Sequence, residues 1–136
     1  MKLNILALKE NDYEDILCKW WRDWRWNPPK RDFLPENGTG GFIVYDGDVP
    51  VCAGFMYTTN SKAAWCDWII SNIHYKNREG RKRALELLVQ TVERLAKDLG
   101  NKFIYALIKN KPLINTYVKM GFTEASSYST EMIKHI

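Results

Sequence analysis

The sequence predicts an α/β fold: one domain, residues 1–136, with a mixed, mostly antiparallel sheet flanked by helices. Three observations predict it. Asp46-Gly47 stands between two apolar runs, a strong hairpin signal. Residues 80–99 carry Leu85, Leu88, Val92, Leu95 and Leu99 on one helical face. The apolar run 103–108 then precedes a second helix with Pro112 in its first turn. An antiparallel section feeding a β-α-β section gives a mixed sheet with helices packed on it.

The elements follow in order. Residues 2–8 form a strand. Asp12 is a helix N-cap with Asp15 three residues on, and Tyr13, Ile16, Leu17, Trp20, Trp21 and Trp24 make one amphipathic face. Asn27-Pro28-Pro29 ends that helix, and residues 28–40 are a loop rich in Pro, Gly and charge, with room for a helical turn. Residues 42–45 and 49–58 are the hairpin strands, and 63–70 a third antiparallel strand. Helix 80–99 stops at Gly100, and strand 103–108 is buried. Leu113, Tyr117 and Met120 share a face of the next helix, which stops at Gly121. Residues 127–134 form a last strand.

At 136 residues the chain can bury one real core but not two. Its 46% hydrophobic and 26% charged residues are ordinary for a soluble domain. No segment approaches the roughly 18 apolar residues of a membrane span. The opening apolar stretch is broken by Asn4 and followed by acids, unlike a signal peptide. Cys18, Cys52 and Cys66 are odd in number and lack zinc-site spacing, which predicts reduced core residues of a cytoplasmic protein. The net charge of +4 suits an anionic ligand without requiring nucleic acid. Trp20, Trp21, Trp24 and Trp26 interleave with Lys19, Arg22 and Arg25, as a base-stacking surface would. Helical spacing instead puts Trp20, Trp21 and Trp24 on the core face and the basic residues elsewhere.

The run Asn110-Lys-Pro-Leu-Ile-Asn-Thr-Tyr117-Val-Lys-Met-Gly121-Phe122 places an Asn seven residues before a Tyr, with Gly-Phe just beyond. It resembles the C-terminal signature of the GNAT N-acetyltransferase superfamily, and the element order matches that fold over residues 2–134. The resemblance implies acetyl-CoA as acyl donor, Asn110 as a coenzyme contact and Tyr117 as the acid that protonates the departing thiolate. It also implies a loop patterned Gln/Arg-x-x-Gly-x-Gly/Ala at the start of the long helix, giving backbone N–H groups to the pyrophosphate. Here that segment is Asn72-Ile-His-Tyr-Lys-Asn-Arg-Glu-Gly80-Arg-Lys-Arg-Ala84. Ala84 fits the last small position only if Lys82 replaces the first Gly and Glu79 the Gln/Arg. Anchoring on Tyr75-Lys76 makes the loop longer than usual. The motif is degenerate in either register. Five basic residues nevertheless lie between Lys76 and Arg83 against one acid, Glu79, where positive charge opposes the helix dipole. Arg78, Arg81, Lys82 and Arg83 are thus expected to hold phosphate by side chain. The alternative is a solvated basic turn.

Direct transfer to an amine needs a base, donors for the thioester carbonyl and an acid. Asp67 lies in mid-strand among apolar residues, a costly place for a carboxylate without a role. It is the candidate base, and by alternation it shares a face with Trp65 and Ile69. His74 is an alternative base. The resemblance implies further coenzyme contacts at Ile70, Ser71, Asn72 and Ala84, and an acceptor cleft shaped by Trp26, Phe33 and Glu36. The expected activity is acetyl transfer to a primary amine of a small molecule or a protein. Two other readings stand beside it. One is a non-catalytic binding module for nucleic acid or protein. The other is a transferase of the same fold with another donor or a nucleobase acceptor.

Overall fold

Asp46 and Gly47 make the turn their sequence requires. Gly47 has a φ of +59°, a conformation cheap only for glycine. In the computed structural model, which describes residues 1–127 and 130–136, the turn joins strand β2 (Gly41–Asp46) to β3 (Val49–Tyr57). β1 (Leu3–Ala7) pairs antiparallel with β2, and β4 (Ala63–Ser71) with β3. β5 (Phe103–Tyr105) runs parallel to β4 at the edge, giving a five-stranded sheet in the order β1-β2-β3-β4-β5.

Each face carries its own core. On one side, Leu17, Trp20 and Trp21 pack on Ile43, Ala53, Phe55 and Ile70. They come from a wide helical turn, Tyr13–Leu17, and α1 (Cys18–Asp23). On the other, the long α2 (Arg78–Asp98) buries Ala84, Leu88, Val89, Val92 and Ala96, and α3 (Lys111–Lys119) contributes Tyr117. Their spacings of one, three and four residues are those of a helix buried along one stripe.

Several boundaries differ from expectation for local reasons. Asp12 does not cap the first helix. Its carboxylate turns back to accept from the Lys9 amide at 2.8 Å. That helix ends at Asp23, with Arg25 turning the chain at a φ of +63°, ahead of the prolines. Residues 28–40 hold two 3-10 turns, Arg31–Phe33 and Pro35–Gly38. Leu99 lies past the last buried turn of α2 and is 60% exposed. β5 keeps only three of the six residues expected, and Phe103 is 67% exposed because the strand is an edge. Of the expected last strand, 127–134, Tyr128 and Ser129 lie outside the described residues, and 127 and 130–134 carry no strand pairing. Gly121 ends α3 with a φ of +100°. All three cysteines are free and buried.

Candidate active site

β4 and β5 are paired only from Ala63↔Phe103 to Trp65↔Tyr105. β4 then runs on to Ser71 with no strand beside it on that edge among the described residues. From Cys66 onward its main chain is no longer paired with β5. Backbone donors do not stay unused without cost, so such an edge is a ready place for a ligand.

A bulge lies in this stretch of β4. Phe55 pairs with Asp67 and Ala53 with Ile70, so Gly54 faces both Trp68 and Ile69, an extra residue on one strand. Trp68 takes a φ of +54°, strained for a bulky side chain at a cost of roughly 1–3 kcal/mol. The surroundings hold it there. Trp21 and Phe33 meet its ring edge-on at 6.2 and 5.8 Å. The Trp68 amide donates to Oδ1 of Asp67 at 2.8 Å. The bulge corrects the alternation expected for Asp67. Trp68 joins it on the α1 side, while Ile69 turns to the α2 side. Burial pushes the Asp67 carboxyl up, the Trp68 amide opposes that, and the charge of Glu131 adds to it. The group is thus moved toward the range of a working base.

Tyr117 reaches β4 from α3 on the α2 side of the sheet, the face opposite the Asp67 side chain. It is buried beside Cys66, Val89 and Val92, its ring edge-on to Phe122 at 4.9 Å. Burial pushes its phenol far above the ordinary range, with further contributions from Cys66, Asp67 and Cys52. It stays protonated at any physiological pH and can act only as a donor. Burial also pushes the thiols of Cys52 and Cys66 up to about 12. Neither is a nucleophile at neutral pH, because the thiolate is the reactive form.

The start of α2 differs from expectation residue by residue. Asn77 is the N-cap, its side chain accepting from the Gly80 amide at 2.9 Å. Gly80 is enclosed, and a Cβ there would stand 2.1 Å from the Tyr75 hydroxyl. That hydroxyl is itself held by Asp46 at 2.7 Å. The glycine thus lies three residues after Asn77, a placement neither sequence register used. Arg81 turns inward, its Nη2 donating to the carbonyls of Asn72 and Tyr75, so it braces the loop. Arg83 pairs with Glu79 at 3.1 Å. Ala84 is wholly buried against the sheet and offers a ligand nothing. Lys76, Arg78 and Lys82 remain exposed, near the first, uncapped amides of the helix.

The other expected contacts are mixed. Ile70 buries its side chain in the α1-side core, leaving only its backbone. Asn72 is spent on structure: its Nδ2 donates to Pro50 and its Oδ1 accepts from the His74 amide. The Ser71 carbonyl accepts from Trp24 Nε1. Asn110 caps α3, accepting from the Leu113 amide at 3.1 Å, and retains two N–H donors. His74 is exposed and lies 3.6 Å from Asp23, tied to α1 and not to Asp67. Phe33 meets Trp68 and thereby reaches the Asp67 side. Trp26 stacks on Trp24, toward the Ser71 end of β4. Glu36 sits exposed in a 3-10 turn at a φ of +51°.

Gly80→Ala is expected to lower stability by about 1–3 kcal/mol through overpacking. The Tyr75→Phe background should recover part of that loss in thermal melts. Equal losses in both backgrounds would show that the Tyr75 contact is not the cause.

No protein-family model matches the sequence, and no curated protein matches it. Solved structures do. An N-acetyltransferase from Staphylococcus aureus Mu50 superposes with a TM-score of 0.71 at 14% identity, over 93% of this chain and 86% of that one. The ribosomal-protein-S18-alanine N-acetyltransferase of Escherichia coli gives 0.64 at 18%, over 91% and 79%. AAC(6')-Iy in complex with the bisubstrate analogue CoA-S-monomethyl-acetylneamine gives 0.63 at 11%, over 100% and 99%. The chain has the GNAT fold. No helix among the described residues is long and apolar enough to cross a membrane.

Proposed function

We propose that this chain is an acyltransferase that moves an acetyl group from acetyl-CoA directly to a primary amine. The observation that carries the reading is that Tyr117 packs on Cys66, the residue next to Asp67, just where β4 runs past its pairing with β5. Acetyl-CoA would supply an activated thioester with sulfur as the leaving atom. Asp67 takes the proton that the attacking amine must lose. Tyr117 holds a proton at Oη for the sulfur as the carbon–sulfur bond breaks. The unpaired edge of β4 after Trp65 offers main-chain donors for the carbonyl oxygen. With both neighbouring thiols held protonated, direct transfer needs no enzyme-bound acyl group. The fold also fits cytoplasmic use, in keeping with three reduced cysteines.

The phosphate end of the donor falls to the exposed Arg78 and Lys82 and the first amides of α2, with Asn110 adding side-chain donors. Cations can replace backbone cradling there because charge-assisted contacts are about twice as strong as neutral ones. The Arg78→Ala/Lys82→Ala double variant is expected to weaken acetyl-CoA binding about tenfold or more, while Arg83→Ala changes it little. Calorimetric titration with acetyl-CoA checks both.

A second reading has its own observation. Asn77 occupies the Gly80 amide and Arg81 folds inward, so the phosphate cradle is poorer than the fold's usual one. A binding module that keeps the fold without the coenzyme would look like this. Micromolar one-site binding of acetyl-CoA favours the transferase, and no binding at millimolar concentration favours the module.

A further inference from the structure

Resting on the transferase reading, we propose that the acceptor is a small primary amine, bound as its ammonium, on an apolar, ring-sized body. Five aromatic side chains stand about Asp67 on the α1 side of the sheet. Tyr57 and Trp65 are cross-strand partners. Trp65 and Tyr105 are partners in turn, their ring centroids 4.2 Å apart at 35°. Trp68 follows Asp67 on the bulge and takes Phe33 edge-on. The Tyr57 hydroxyl donates to the Phe33 carbonyl at 3.1 Å, tying the loop to β3. Phe33 is 44% exposed and the other four are half-buried. Each therefore keeps part of its surface outside the core beneath α1.

Asp67 sits within this floor. It is two residues from Trp65 on one strand, and its charge helps burial push the Tyr57 phenol up to about 12. No cation pairs with it among the described residues. Glu131 brings a second negative charge close enough to raise the Asp67 carboxyl further. A carboxylate without a counter-ion, set among ring faces, selects an organic cation. The faces attract the ammonium, and their area takes the apolar body. A polyhydroxylated amine would give up water from its hydroxyls against ring faces that cannot replace those hydrogen bonds.

The test is calorimetric titration of the full chain with 2-phenylethylamine, glucosamine and 2-phenylethanol, with and without free CoA. Phenylethylamine should bind at least about tenfold more tightly than either control, since the alcohol lacks the charge and the sugar lacks the ring. Asp67→Asn and Phe33→Ala should each weaken it about 3–30-fold, with Trp65→Phe close to the parent. Thermal melts establish that each variant is folded. Glucosamine binding as tightly, phenylethylamine binding unmoved by both variants, or no binding under either condition overturns the proposal. Activity separates the two ideas. Phenylethylamine bound but not acetylated counts against the transferase reading and keeps only an aromatic-amine site. Acetyl transfer to glucosamine alone does the reverse.

Discussion

Replacing Tyr117 with phenylalanine is expected to lower kcat about 10²–10⁴-fold, the range a positioned acid supplies, while acetyl-CoA affinity and the melting temperature stay close to the parent. The ring does the packing. It sits among Cys66, Val89 and Val92 and meets Phe122 edge-on, and phenylalanine keeps all of that. Only the hydroxyl is lost, and with it the proton for the departing sulfur. Burial makes the phenol a weaker acid than usual, but that does not disqualify it. The same apolar surroundings also penalise a thiolate, so both partners shift in the same direction and the transfer stays feasible. Single-turnover kinetics with acetyl-CoA and a responsive amine would measure the effect. A kcat within about threefold of the parent would remove Tyr117 from the acid's role, since general acids are worth far more.

The sheet and its helices were legible because each rests on a local rule. Asp46-Gly47 fixes the hairpin, and the apolar stripe of α2 needs a face to cover. Pro112 and Gly121 bracket α3 at its two ends. Asp67 and Tyr117 stood out as residue types in pattern, through a lone acid in an apolar strand and the spacing Asn110-Tyr117-Gly121. The bulge was not. Nothing in Trp65-Cys66-Asp67-Trp68-Ile69 marks it, because a register shift is decided by the partner strand, here by Gly54 facing two residues. The start of α2 was misjudged for a related reason. Charge identifies a basic turn, but only the fold shows that Arg81 bends inward to two carbonyls and that Ala84 is core. The signal that could have found Gly80 was Asn77 three residues before it, an N-cap pattern. The short edge strand β5 left Phe103 exposed for want of a sixth strand among the described residues, which no apolar count foretells.

Asp67→Asn is expected to abolish most turnover and to leave the fold no less stable at neutral pH. The two effects have one cause. Burial raises the carboxyl above its unfolded value, and Glu131 adds to that. The folded chain therefore holds this proton more tightly than the unfolded one. As pH rises from the ordinary carboxylate range through the raised folded value, the unfolded state binds fewer protons than the folded state, and stability falls across that window. Asparagine has nothing to ionise. Its carbonyl can still accept from the Trp68 amide, the contact that holds the bulge. Melts of the variant should thus lose the decline attributable to residue 67, and above the window the variant should equal or exceed the parent. Catalysis runs the other way. The base acts only when ionised, so kcat/KM of the parent should rise with pH through the raised value, and this acid-side limb should flatten in the variant at a rate about 10²–10⁴-fold lower. A variant that keeps the parent's limb would show that another group accepts the amine proton. A variant that is inactive and also strongly destabilised at neutral pH would show that the ionised Asp67 serves the bulge more than the chemistry.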